Sequence, residues 1–167
     1  MTDSPKTRLL IGAVLISFSS VFAKLATVPP TVSAFYRVAI GGMVLLVLTL
    51  VRRYHFTRQP APWGLLVAAG VFFALDLGFW HSSIHYIGPG LSTLIASFQV
   101  FFMAGAGVLL FKQTLPKRQL IAIPLAILGL ALITGLDWSS HSETYRWGIV
   151  FGLVTALTYA SYLLTVR

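Results

Sequence analysis

Six stretches of apolar residues, each long enough to cross a lipid bilayer, fill this chain almost from end to end. A membrane-spanning helix needs about 20 predominantly apolar residues. The sequence therefore predicts an all-α polytopic membrane protein with six transmembrane helices. We place the spans at Leu9–Ala26, Val32–Val51, Trp63–Tyr86, Leu91–Phe111, Gln119–Gly135 and Trp147–Val166.

The composition supports this fold class and excludes several functions. Only 10% of the residues are charged, well below the roughly 25% of ordinary soluble domains. The chain has no cysteine, which excludes disulfides, thiolate metal sites and cysteine nucleophiles. Its net charge of +8 is spread over short loops, so no nucleic-acid partner is predicted. Phosphate-binding, metalloprotease and nucleophile-elbow motifs are absent from the sequence, so we predict neither a cofactor nor the use of ATP.

The basic residues predict how the helices are oriented. Lysine and arginine hold short loops on the cytoplasmic side of a membrane. If six helices alternate in direction, Arg146 is the one loop cation on the outer side. The other loop cations are Lys6, Arg8, Arg52, Arg53, Arg58, Lys112, Lys117, Arg118 and Arg167. We therefore expect both ends of this chain to be cytoplasmic, with the lipid bilayer as its first partner.

The chain also contains a weak internal repeat. Ile11-Gly12-Ala13-Val14 in the first span matches Phe151-Gly152-Leu153-Val154 in the sixth. Five helices separate the two starts, so the second copy enters the membrane from the opposite side, as in many secondary transporters. We expect a five-helix repeat over residues 1–135, an outer loop over 136–146 and the first helix of an inverted, truncated second repeat over 147–167.

Residues of three regions resemble a known family. They are Phe35-Tyr36-Arg37 in the second span, the run from His85 through Phe98 leading into the fourth span, and Gln119 through Leu130 in the fifth. In these the chain resembles the drug/metabolite transporter superfamily and its EamA-type five-helix domain. Members of that family usually carry two such domains and ten helices. The resemblance therefore implies a fragment of a transporter, or a chain that associates with the missing second repeat or with another copy of itself.

Two positions bear on the shapes of individual helices. Pro124 removes a backbone hydrogen bond and is expected to bend the fifth span. Val100 stands where members of the family commonly have a proline midway along the fourth helix. Its presence argues against a kink in that helix.

Three charged residues fall inside predicted spans, where a charge costs at least about 2.5–3.5 kcal/mol on insertion scales. Asp76 lies deepest and is interpreted as a proton-coupling carboxylate, a direct partner of a cationic group, or half of a structural ion pair with Arg37 or Lys24. Arg37 matches the family's characteristic arginine and is expected to face the bundle, although its long side chain could reach the headgroups. Lys24 lies close to Pro29, so snorkelling is the favoured interpretation and substrate contact the alternative.

Polar and aromatic residues complete the candidate site. In the third span, helical spacing places Trp80 on the face of Asp76, and His81 with His85 on a neighbouring face. Two histidines bind a metal only with further ligands, which are not evident here, so no metal site is predicted and interhelical hydrogen bonding is favoured for His85. Phe98 is expected to join Tyr36 and Trp80 in an aromatic wall. The predicted substrate-binding or coupling residues are Asp76, Arg37, Trp80, His81, Gln99, Tyr36 and Tyr159.

The leading hypothesis is a secondary active transporter in the inner membrane of a bacterium. It would export small metabolites such as amino acids or related organic compounds by alternating access, with proton coupling at Asp76. The alternative is a non-transporting membrane scaffold or accessory subunit whose polar residues serve helix association. An intramembrane enzyme with Asp76 and His81 as acid and base lacks any substrate-recognition motif, so no enzymatic activity is predicted.

Overall fold

The computed structural model confirms an all-α polytopic membrane protein. It describes residues 5–52, 62–135 and 141–167. Arg53, Arg58 and residues 136–140 of the predicted outer loop lie outside the described residues. Within the described ranges the helices are α1 (Pro5–Ser17), α2 (Ser19–Leu25), α3 (Pro30–Val51), α4 (Trp63–Ile87), α5 (Pro89–Ala96), α6 (Gln99–Phe111), α7 (Lys117–Thr134) and α8 (Glu143–Thr165).

Five helical segments of the described chain are long and apolar enough to cross a membrane. They are α3, α4, α5 together with α6, α7, and α8. These segments correspond to the second to sixth predicted spans, with ends that differ by a few residues. Pro30 is the first residue of α3 and Pro89 is the first residue of α5. At this position a proline loses no helical hydrogen bond, so both residues favour the start of a helix. The Ser142 hydroxyl caps α8 by accepting a hydrogen bond from the Tyr145 amide at 3.3 Å.

The first span differs from the single helix that the sequence predicts. It is divided at Phe18 into α1 and α2, and its apolar helical stretch, Leu9–Leu25, is shorter than the other five segments. The Ser17 hydroxyl donates to the Ala13 carbonyl at 2.7 Å. A serine that hydrogen-bonds to its own backbone in this way offers the chain an alternative to the regular helix and often bends it.

The fourth span is interrupted at Ser97 and Phe98, between α5 and α6. Ser97 and Phe98 keep right-handed helical backbone angles, and α5 with α6 forms one membrane-length segment, so the expectation that Val100 argues against a kink stays a prediction. The Ser97 hydroxyl donates to the Thr93 carbonyl at 2.9 Å, and the Phe98 amide donates to Ile95, three residues earlier, at 3.0 Å. This tighter pattern of hydrogen bonds takes over from the α-helix without a proline.

The closest helix packing joins α4 to α8. Gly148 and Gly152 allow this approach, because a Cβ atom at Gly148 would lie 2.8 Å from the Cβ of Tyr86. The Ser83 hydroxyl crosses the interface and donates to the Gly148 carbonyl at 2.8 Å. Small residues and interhelical hydrogen bonds of this kind hold helices together in membranes, where no hydrophobic driving force between helices is available.

Aromatic rings extend the same interface. The ring of Phe151 on α8 stacks on Phe79 and Tyr86 of α4, with centroids 5.8 and 5.7 Å apart. Ile84 on α4 and Ala156 on α8 are fully buried. By contrast, α7 has no buried residue, so its apolar surface is free to face lipid. The centre of the described structure is thus the α4–α8 pair.

We expect Gly148→Leu to lower the free energy of unfolding by about 1–3 kcal/mol, because overpacking of a tight interface forces side chains and backbone apart. The matched control is Gly41→Leu on α3, where a Cβ atom meets nothing within 4 Å. Thermal unfolding of the purified protein in detergent measures the effect. Equal melting temperatures for the two variants would contradict this account of the α4–α8 contact.

Candidate substrate cavity

A partly open cavity of about 300 Å³ lies among the helices around α4. Polar and aromatic side chains from four helices line it. Apolar side chains of Ile16, Phe73, Leu77 and Ala96 complete the wall. The polar and aromatic lining residues are Arg37 on α3, Asp76 and Trp80 on α4, Gln99 on α6, and Thr155 and Tyr159 on α8.

Asp76 is the buried carboxylate of the cavity. Its spacing from Phe73, Leu77 and Trp80 places these four residues on one face of α4, and all four line the cavity. Asp76 is only 7% exposed, yet the described residues provide it with neither a hydrogen bond nor an ion pair. A buried carboxylate is costly unless a cation, a hydrogen-bond donor or a proton compensates it.

Arg37 supplies the opposite charge from α3. Its guanidinium carbon lies 5.1 Å from the centroid of the Trp80 ring, within the range of a cation–π interaction. Arg37 is near enough to Asp76 to interact with it electrostatically, but the two side chains form no ion pair in the described structure. The expectation that Arg37 faces the bundle agrees with this position. The ion-pair interpretation of Asp76 with Arg37 is not what the structure shows.

Lys24, the other candidate for an ion pair with Asp76, is engaged elsewhere. Its ammonium group donates to the backbone carbonyl of His85, near the end of α4, at 2.8 Å. The His85 ring does not make the expected interhelical hydrogen bond, since its buried Nε2 has no partner within the described chain. Lys24 therefore ties α2 to α4 through the backbone, a role that the sequence did not indicate.

His81 is buried beside the cavity rather than in its wall. It is 2% exposed, and its Nδ1 lies 2.7 Å from the Leu77 carbonyl, to which it donates because a carbonyl can only accept. His81 lines a second cavity of about 310 Å³, on which Arg37 also borders. Arg37 thus lines both cavities. Among the described residues, no group of three or more metal-ligating side chains accompanies His81.

Tyr36 and Phe98 are not among the residues that line the cavity. Tyr36 is 57% exposed and packs edge-on against Phe35, with centroids 5.8 Å apart. It directly precedes Arg37, and adjacent residues of a helix do not face the same way, so only one of the two can line the cavity. Phe98 packs against Phe101 instead, at 4.9 Å. Of the three residues of the predicted aromatic wall, Trp80 lines the cavity, and the other aromatic lining residues are Phe73 and Tyr159.

Thr155 is the polar lining residue that the sequence prediction missed. It is 2% exposed, and its hydroxyl has no hydrogen-bond partner in the described structure. Thr158 and Thr165 on the same helix instead donate to carbonyls four residues earlier, at 2.9 and 2.8 Å. The signal in the sequence was the four-residue spacing to Tyr159, which places both residues on one face of α8.

Comparison with known proteins identifies the family. Residues 8–135 match the model of the EamA-like transporter family. The chain belongs to this family. Because it is a family of transporters, the protein is not interpreted as an enzyme. No solved structure matches the chain.

Curated relatives carry transporter names. The chain is 28% identical to the uncharacterized transporter YvbV of Bacillus subtilis, over 96% of the chain and 54% of that protein. It is 28% identical to the uncharacterized inner membrane transporter YhbE of Escherichia coli, over 93% of the chain and 50% of that protein. It is also 28% identical to the pseudopaline exporter CntI of Pseudomonas aeruginosa, over 99% and 58% respectively. The chain spans about half the length of the curated relatives it matches.

We expect Thr155→Val to leave the free energy of unfolding unchanged or to raise it, because the change removes a buried hydroxyl that has no partner. Ser83→Ala provides the contrast, since it removes an interhelical hydrogen bond of a kind that is worth about 0.6 kcal/mol on average in membrane proteins. Thermal unfolding in detergent or nanodiscs measures both. A clear loss of stability in Thr155→Val would mean that its hydroxyl has a structural partner.

Proposed function

We propose that this chain is part of a secondary active transporter that exports small metabolites, such as amino acids or related organic compounds, by alternating access. One observation carries the proposal: Asp76 and Arg37 border the same cavity without pairing with each other. Ionisable residues inside membranes are costly and usually mark the pathway of a substrate or an ion. Family membership, with the transporter names of the relatives, supports the same conclusion.

The chemistry of the cavity suits a small amphipathic solute. A volume of about 300 Å³ lies at the lower end of the range for ligand pockets. The planar guanidinium of Arg37 can bind a carboxylate through two parallel hydrogen bonds, while Trp80 and Phe73 offer apolar surface to a side chain or ring. Asp76 offers a negative charge to a cationic group or to a proton.

Transport requires that the cavity open to each side of the membrane in turn. We propose that a second, inverted repeat, or another copy of the chain, completes the transporter and moves against this one. Asp76 would exchange a proton for the substrate, which links export to the proton gradient. The α4–α8 pair forms the fixed wall of the cavity, because Gly148 and Ser83 hold it together.

We propose the inner membrane of a bacterium as the location, with both ends of the chain in the cytoplasm. The positive-inside rule supports this orientation through Lys6 before the first span, Arg52 after α3, and Lys112 and Arg118 around the α6–α7 connection. The name of the relative from Escherichia coli, an inner membrane transporter, agrees with this location. The export direction is supported by the name of the relative from Pseudomonas aeruginosa.

We expect Arg37→Lys to reduce saturable exchange of amino acids in proteoliposomes by about tenfold or more, because a lysine cannot reproduce bidentate, stacked binding. Substrate counterflow measures this exchange. Arg52→Lys, at the exposed end of the same helix, is the matched control and should leave exchange unchanged. Absence of saturable exchange in the unmutated protein, over a broad panel of solutes, would instead favour a non-transporting scaffold.

We expect Asp76→Asn to abolish transport driven by an imposed pH gradient, because the amide can neither bind nor release the coupled proton. Asp76→Glu should retain it, since the carboxylate is kept. Glu143→Gln serves as the control, because Glu143 is exposed at the start of α8. Uptake in proteoliposomes with and without the gradient is the measurement. If the pH gradient does not change the rate of transport by the unmutated protein, this result would contradict proton coupling.

A further inference from the structure

We propose that Asp76 and Thr155 together form a subsite for a protonated amino group, so that the cavity selects metabolites that carry an ammonium. The proposal rests on the transport function proposed above and refines it by naming the chemical group that is selected. It adds Thr155 to the site as a residue that determines specificity. The two residues belong to different helices, α4 and α8, which the tightest contact of the fold holds in place.

The hydroxyl of Thr155 has no hydrogen-bond partner in the described structure. A threonine inside a helix commonly satisfies its hydroxyl at the carbonyl four residues earlier, as Thr158 does at 2.9 Å. Thr155 makes no such hydrogen bond, although it is 98% buried and borders the cavity. Buried polar side chains are nearly always hydrogen-bonded, so each exception requires an explanation. A ligand in the cavity supplies the missing partner once the side chain rotates its hydroxyl, which is covered in this structure, toward the cavity.

Asp76 brings an unpaired negative charge to the cavity. Its carboxylate borders the same cavity, is 7% exposed, and has no hydrogen bond or ion pair among the described residues. Lys24 is bound to the His85 carbonyl, and Arg37 is held over the Trp80 ring. Asp76 and Thr155 therefore bring an unpaired carboxylate and an unpaired hydroxyl, the latter covered in this conformation, to the wall of the same cavity.

An ammonium group matches these two acceptors. It carries three donors and no acceptor, whereas a carboxylate and a hydroxyl oxygen both accept. Trp80 and Tyr159 border the same space, and aromatic faces attract cations. A divalent metal fits less well, because it needs several oxygen ligands and the described residues contain no group of three or more metal-ligating side chains.

The test is a binding measurement with two probes that differ only in the amino group, L-phenylalanine and 3-phenylpropionate. The protein is held in nanodiscs, and binding is followed by calorimetry. We expect L-phenylalanine to bind about tenfold more tightly, the size of effect that one hydrogen bond to a charged group produces. Equal affinities for the two probes, or no binding of L-phenylalanine, would overturn the subsite.

Variants at Thr155 separate the hydroxyl from the shape of the side chain. Thr155→Val should weaken L-phenylalanine binding by about fivefold or more and leave 3-phenylpropionate unaffected, whereas Thr155→Ser should keep both affinities. Asp76→Asn should remove the preference for the amine. An unchanged affinity of Thr155→Val for L-phenylalanine would exclude Thr155 from the subsite.

Two further measurements distinguish this subsite from a metal-ion site and test transport separately. Replacing Na⁺ with K⁺ should leave the affinity for L-phenylalanine unchanged, and a dependence on Na⁺ would instead make Asp76 and Thr155 a metal-ion site. Counterflow of L-phenylalanine, measured on the same preparations, tests transport. Amine-selective binding without counterflow would support the subsite and count against the transporter. Counterflow that is the same in Thr155→Val as in the unmutated protein would support the transporter and count against the subsite.

Discussion

The close approach of α4 and α8 is the contact on which the rest of the structure depends. Gly148 and Gly152 remove the side chains that would separate the two helices, and the Ser83 hydroxyl joins them at 2.8 Å. Because lipid tails are as apolar as the helices, such packing and hydrogen bonding replace the hydrophobic effect that drives association in water. This contact also brings α8, predicted to begin the second repeat, against the helix that carries Asp76.

The cost of charge in a membrane explains the arrangement of the cavity. Asp76 would be expensive on the lipid-facing side of α4, and it lies instead on the face that α8 covers. Arg37 reduces the exposure of its charge by lying on Trp80, 5.1 Å from the ring centroid. The two charges remain separate, which leaves both able to bind a solute. A site that bound its own charges to each other would lose this capacity.

The sequence predicted the parts of the fold that follow from apolar length and helical period. The ends of α3 and α4 are close to the prediction, because Pro30 and Gly88 terminate apolar runs. Asp76 and Trp80 were placed together by their four-residue spacing. The interruptions at Phe18 and Ser97 escaped prediction, since Ser82 and Ser161 bond to their own helix in the same way without interrupting it. Thr155 was missed because its burial depends on how α8 packs against α4, which the sequence of one helix does not contain.

The central claim is that the space between Asp76, Arg37 and Thr155 is the path of the substrate. The chain has no cysteine, so a single cysteine introduced by Gln99→Cys can be labelled selectively with a water-soluble thiol reagent in membrane vesicles. The account predicts labelling of this cavity residue and its protection by an excess of amino acids, whereas Tyr36→Cys, outside the cavity, should gain no protection. A Gln99→Cys variant that reacts equally with and without amino acids would contradict the claim.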